Sequence, residues 1–236
     1  MMKNDDKLKI YISESSERYV SSMKERHLYN KIPIFIQDDL FFLDNKSDIG
    51  DVIRIVEKTV PVFLATLVDV IYVGDFVEFQ KKQTNAAYED GAIYVINVQD
   101  NAQDMADDII HDIAHAVEEK NSNLIYGDGA IQREFVGKRE RLYQILKSHE
   151  EPLKDRDLFY NPAYDQDFDL YLYKTIGYKK LQSYVNGLFY SPYAATSVRE
   201  YFARGFEAYF LHKDLKTLAN ISPILYNRIE TLADME

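Results

Sequence analysis

Residues 107–119 read DDIIHDIAHAVEE, and the fold turns on how this stretch is understood. His111 and His115 stand four apart, so on a helix of 3.6 residues per turn they lie one above the other. Ala106, Ile109, Ile110, Ile113 and Val117 form an apolar stripe, while Asp108, His111 and His115 fall on another face. The periodicity predicts a helix over about residues 101–119 that packs its stripe inward and turns its histidines elsewhere. The H-x-x-x-H spacing is the one at which a metallopeptidase helix presents two imidazoles to one zinc ion. In that pattern a glutamate follows the first histidine and serves as base, whereas this chain has Asp112. Three readings stay open: a zinc hydrolase with a shortened base, one that has lost its chemistry, or a helix that carries two histidines incidentally.

The flanking sequence sets this helix in an α+β chain. Upstream are two strand-like runs, DVIYVGDF (69–76) and GAIYVIN (91–97), with the turn signal YEDG between them. Before them, SDIGDVIRIVEKTVPVFLATL predicts a helix from about residue 48 with a kink near Pro61. Residues 1–47 alternate apolar runs (LKIYI, IPIFI, LFFL) with charge, which predicts a small mixed α/β segment. The expected organisation is an N-terminal α/β segment over 1–60, which could belong to the same domain, and a main domain over 61–236. Downstream, EFVGKRERLYQILKSHEE (134–151) predicts a helix, and the Tyr- and Asp-rich residues 152–174 a surface loop. TSVREYFARGFEAYFLHK (196–213) predicts a strong helix with Ser197 as N-cap and apolar residues at 198, 201, 202, 206, 209 and 210. A last helix is expected from SPILYNRIETL, with Ser222 as cap and Pro223 at the first position.

A zinc site needs three protein ligands at about 2.0–2.2 Å and an open position. Glu119 cannot complete the set, because residues at i, i+4 and i+8 span about 12 Å along a helix. Glu200 is the best candidate elsewhere. It also fits a local role, since Ser197-x-x-Glu200 is a capping-box pattern. Local pattern leaves both roles standing.

The order GAIYVIN strand, HxxAH helix and EYFARGF helix resembles the catalytic domain of anthrax lethal factor and its relatives, zincins of the glutamate-ligand (gluzincin) kind. In that family the first ligands lie in HExGH, and the third is a glutamate opening a segment E-F-F-A-E-A-F. Here EYFARGF matches at Glu200, Phe202, Ala203 and Phe206. The family also places a tyrosine seven residues before that glutamate, which here is Tyr193 in SPYAATSVRE. The resemblance spans roughly residues 68–235. It implies a zincin-like metalloprotease fold with a small mixed sheet, an active-site helix and a downstream ligand helix. It further implies one zinc held by His111, His115 and Glu200, with Asp112 as base and Tyr193 donating to the transition-state oxyanion. The implied partner is a peptide or protein substrate lying extended, adding to the edge of the GAIYVIN strand.

Three departures accompany it: Asp112 for glutamate, Arg204 for the second acidic residue of the downstream segment, and a long interval of about 85 residues between His115 and Glu200. A carboxylate drawn back by one C–C bond, about 1.5 Å, can lose direct reach to the attacking water, and misplacement on that scale costs about 10²-fold. A second reading is therefore carried beside the peptidase: a catalytically impaired zincin-fold component, structural or binding, of a larger assembly such as a phage particle. An HD-type phosphohydrolase would need a further upstream histidine, and only His27 precedes the helix. His27, His149 and His212 read as surface residues, Asp107 and Asp108 as a charge pair near a helix start, and Glu118 and Glu119 as a solvated helix end.

Bulk properties exclude other classes. A net charge of −11 argues against general affinity for nucleic acid or anionic membrane. The absence of cysteine excludes disulfides, thiol catalysis and thiolate-bound metal. The N-terminal residues lack an apolar signal-peptide run, and no apolar stretch is long enough to span a bilayer. These features set the expected location as cytoplasmic or virion-associated.

Overall fold

The computed structural model describes residues 24–37, 40–77, 79 and 84–235. The LKIYI run lies outside them. The described chain is α+β with a small mixed sheet. It divides into two compact units, the first ending at Val117 and the second beginning at Glu118. No helix among the described residues is long and apolar enough to cross a membrane.

The first unit is built on a five-stranded sheet in the order β1-β2-β4-β6-β5. β1 (Lys24–Leu28) pairs antiparallel with β2 (Ile32–Ile36), and β2 runs parallel to β4 (Val70–Gly74). β4 is parallel to β6 (Ala92–Ile96), which pairs antiparallel with β5 (Ala86–Glu89). β3 (Phe41–Phe42) and β7 (Val98–Gln99) form a separate two-stranded parallel pair. The YEDG signal closes the β5–β6 hairpin: Asp90 and Gly91 both take positive φ (48° and 87°), the two-residue turn whose twist matches its strands. A Cβ at Gly91 would also collide with the Asp69 carboxylate, so this turn requires glycine. β6 is nearly all buried, as a central strand must be. It is flanked on both sides, by β4 and β5, so its backbone offers no edge to a peptide. The expected addition of a substrate strand to GAIYVIN is thereby corrected.

α1 (Ile49–Thr59) begins with a complete capping box between Asp48 and Asp51. It stops before Pro61 instead of kinking there, and Pro61 caps the short α2 (Val62–Ala65). A proline ring and missing N–H end the hydrogen-bond ladder, and the residue before it is driven to extended backbone. α3 (Ala102–Lys120) is the histidine helix. Its predicted stripe is fully buried, but so are Asp112, Ala114 and Ala116 on other faces. The helix is therefore enclosed on several sides, not divided into an inner and an outer face.

The second unit is helical: α4 (Ser122–Tyr126), α5 (Ala130–Ser148), α6 (Asp157–Tyr160), α7 (Gln166–Leu170) with a π-helical turn at Tyr171–Gly177, and α8 (Tyr178–Val185). They are followed by α9 (Val198–Phe210), α10 (Leu215–Ile221) and α11 (Pro223–Ala233). The expected surface loop over 152–174 is corrected: it folds into α6, α7 and the π turn, with Phe159, Phe168, Tyr171 and Leu172 buried. Burial of these apolar side chains drives the packing, and Arg139 of α5 ties the segment down. Its Nη1 donates to Asn161 O (2.6 Å) and its Nη2 to Leu158 O (2.8 Å), while the guanidinium lies 3.9 Å from the centre of the Phe168 ring. The two carbonyls and the aromatic face offset the cost of burying the cation and fix the segment against α5.

α9 has its predicted cap, with Ser197 Oγ accepting from Glu200 N (3.1 Å). Gly205 lets α11 approach closely, since a Cβ there would meet Leu225 and Ile229. The start of α11 is placed as expected at Pro223, but the Ser222 side chain does not cap it. Glu134 of α5 does, accepting from Ile224 N (3.0 Å) and Leu225 N (3.2 Å). Ser222 Oγ instead accepts a hydrogen bond from the buried Lys138 ammonium (3.0 Å).

Candidate metal centre

α3 fixes the first two groups. His111 Nε2 and His115 Nε2 lie 3.2 Å apart, with the rings nearly perpendicular at 89°. Two nitrogens each about 2.0–2.1 Å from a tetrahedral ion are separated by about 3.3 Å, so the pair already has the spacing of a chelate. The same separation suits a hydrogen bond between neutral rings, one Nε2–H donating to the other Nε2. His115 is 5% exposed and His111 half-buried.

Glu200 stands at the third position of α9 and is 9% exposed. Ligand atoms of His111, His115 and Glu200 all lie within 4.8 Å of one another. The structure thus brings the three predicted ligands together in a group that could hold a metal ion. The two readings of Glu200 are compatible: its backbone N–H serves the Ser197 cap, and its carboxylate belongs to the cluster.

Tyr193 sits on the short 3-10 turn Tyr193–Ala195, half-buried. Burial, then the negative charges of Glu200 and Asp169, hold its phenol well above the usual range, with Arg204 opposing. It therefore keeps its proton and is a hydrogen-bond donor at neutral pH. The Arg204 guanidinium lies 5.4 Å from the centre of the Tyr193 ring. Its Nη1 donates to both oxygens of the buried Glu207, at 2.8 and 3.1 Å.

Asp112 follows His111 and is 3% exposed. Its charge reaches Asp108, one turn earlier. Burial first, and Asp112 second, push the Asp108 carboxyl up to about 7, against a smaller opposing pull from His111. Asp108 is thus more than one of the expected pair of charges near a helix start. It shares with Asp100, Asp104 and Asp107 the wall of a cavity of about 380 Å³. The i, i+4 spacing of Asp108 and Asp112 was visible in the sequence; the burial that gives it force was not.

The expected solvated end of α3 also needs correction. Glu118 is buried, accepts a hydrogen bond from Tyr126 Oη (2.5 Å) and lies 3.7 Å from Arg199, while Glu119 is exposed. His27, His149 and His212 are exposed, as expected. Comparison of the chain with protein-family models, curated proteins and solved structures finds no match.

Proposed function

We propose that this chain is a zincin-like, zinc-dependent peptidase-like protein whose centre is His111, His115 and Glu200. The observation that carries the reading is the convergence of these three side chains, with ligand atoms within 4.8 Å of one another. Two imidazoles and one carboxylate are a donor set suited to zinc, and three protein ligands leave one position open. The ion, when bound, supplies Lewis acidity at that open position.

The remaining work falls to the chain. Asp112 takes the proton of the attacking water, with a shorter reach than glutamate would have. Tyr193, protonated at neutral pH, donates to the oxygen on which negative charge develops. The substrate is an extended peptide. β5, at the end of the sheet, is the edge on which such a strand could be added.

A second reading keeps the ligands and drops the chemistry: a metal-stabilised binding or structural component of a larger assembly. The burial of Asp112 favours it, because a base enclosed at 3% exposure has little path to a water.

Metal analysis of purified protein tests the centre. One zinc per chain is expected, reduced to trace levels by His115→Ala and by Glu200→Ala. Zinc retained in full by His115→Ala would overturn the assignment.

A further inference from the structure

The cavity that Asp108 shares with Asp100, Asp104 and Asp107 lies wholly in the first unit, walled by the end of the β3–β7 pair and the first turns of α3. Its volume of about 380 Å³ is that of a site for a small organic molecule. Leu43 and Val98, 63% and 47% exposed, give it an apolar wall. Asp104 has a local role: it stands in the first turn of α3, where the helix end favours negative charge, and accepts from Asn101 Nδ2 (2.8 Å). Asp107 and Asp108 stand a turn further on, where that effect has faded. Asp100, Asp104 and Asp108 form no ion pair with a lysine or arginine among the described residues.

Gln99 supplies a separate observation. It lines the same cavity and is 3% exposed. Its Nε2 donates to Ile96 O (3.2 Å), which fixes the amide and leaves Oε1 as its free end. Oε1 has no hydrogen-bond partner among the described residues, yet it keeps accessible surface, whereas Asp108 Oδ2 is sealed off. An unmatched acceptor on a buried side chain, open to a cavity, is a place for a ligand's donor.

The ligand is therefore both a donor and a cation. The four carboxylates are not among the groups close enough to share one metal ion, and a hydrated ion gains nothing from Leu43 and Val98. A chain of methylenes that carries several ammonium groups meets both features. Its charges reach dispersed carboxylates, and its carbons cover the apolar wall. We propose that this cavity binds a linear aliphatic polyamine, with one ammonium donating to Gln99 Oε1 and others beside Asp100, Asp104 and Asp107. Asp108 acts through its charge alone. A dibasic peptide carries similar charges, but its backbone carbonyls need donors that a carboxylate-lined cavity lacks, and the Asn85 amide is already bonded to Asp108. The inference is independent of the metal-centre reading.

Calorimetric titration of the full chain with spermidine tests it, at about 0.15 M salt so that diffuse attraction to a negative chain is screened. One spermidine per chain is expected, bound about tenfold or more tighter than magnesium ion or acetyl-dilysine amide. Asp100→Asn with Asp104→Asn, both exposed positions, should weaken it about tenfold, the scale of two exposed ion pairs. Asp155→Asn with Asp234→Asn removes the same charge from exposed positions of the second unit and should leave the affinity within about twofold. Gln99→Met keeps the bulk, loses the acceptor and should cost about tenfold in affinity with an unchanged circular-dichroism spectrum. No binding, binding at many equal sites, or a control pair that weakens binding as much as the cavity pair would each overturn the inference. Affinity unchanged in both the cavity pair and Gln99→Met would do the same. Magnesium ion bound as tightly as spermidine would overturn it in favour of a metal, and acetyl-dilysine amide bound as tightly would overturn it in favour of a basic peptide.

Discussion

Asp112 carries its carboxylate about 1.5 Å nearer the backbone than glutamate would, and on a helix enclosed on several sides that difference is hard to recover by movement. Asp112→Glu is expected to raise peptide turnover by about 10²-fold at unchanged zinc content, read in a fluorogenic peptide assay. Turnover created where the native protein has none would favour the binding-component reading; turnover lowered by the change would count against Asp112 as base. Asp108 makes a separate prediction. Its carboxyl titrates near 7 in the fold, against an ordinary value of 3.8. Between about pH 4 and 7 the native state holds a proton that the unfolded chain releases, so stability is greatest on the acid side and falls as pH rises through this window. The fall is on the order of 2–4 kcal/mol. Urea midpoints of the metal-free protein should therefore decline from pH 5 to 7, and Asp108→Asn should flatten the decline.

Helices whose logic is local were legible: α3 sits within a residue of its expected bounds, and α9 starts at its expected cap Ser197 and ends three residues short of the expected stretch. Apolar spacing and a cap depend on residues within a turn or two of each other. Elements organised by distant partners were misread. Ser222 looked like the cap of α11, yet Glu134, some 90 residues away in the chain, supplies the acceptors. Residues 152–174 looked like a surface loop because their charge masks the aromatic residues that pack inward beside the contacts of Arg139 with Asn161 O, Leu158 O and Phe168. Glu134 also accepts from Tyr201 Oη (2.8 Å), so Glu134→Ala strands three donors at once. It is expected to cost about 1–3 kcal/mol in urea unfolding, and Glu134→Gln clearly less. Equal losses for the two variants would mean that the cap contributes nothing.

For the whole molecule, the three candidate ligands come from positions as far apart in the chain as His111 and Glu200, and the unfolded chain cannot present them together. Any ion they hold therefore stabilises the native state by mass action, about 4 kcal/mol at a thousandfold excess over Kd. Zinc should raise the thermal midpoint by several degrees and a chelator reverse it. His115→Ala should abolish the response, which separates the site from zinc bound elsewhere on a chain of net charge −11. Glu200 as third ligand came from the resemblance, since its local pattern fits a helix cap equally well. The α+β class, the histidine helix and its four-residue pairing were readable in the residues, because each rests on periodicity or fixed short spacing. The 3.2 Å approach of the two imidazoles, the burial that moves Asp108, the interior position of β6 and the Glu207 clamp on Arg204 were not. Those depend on how much water is excluded and on which partner arrives from elsewhere in the chain, and only tertiary packing decides either.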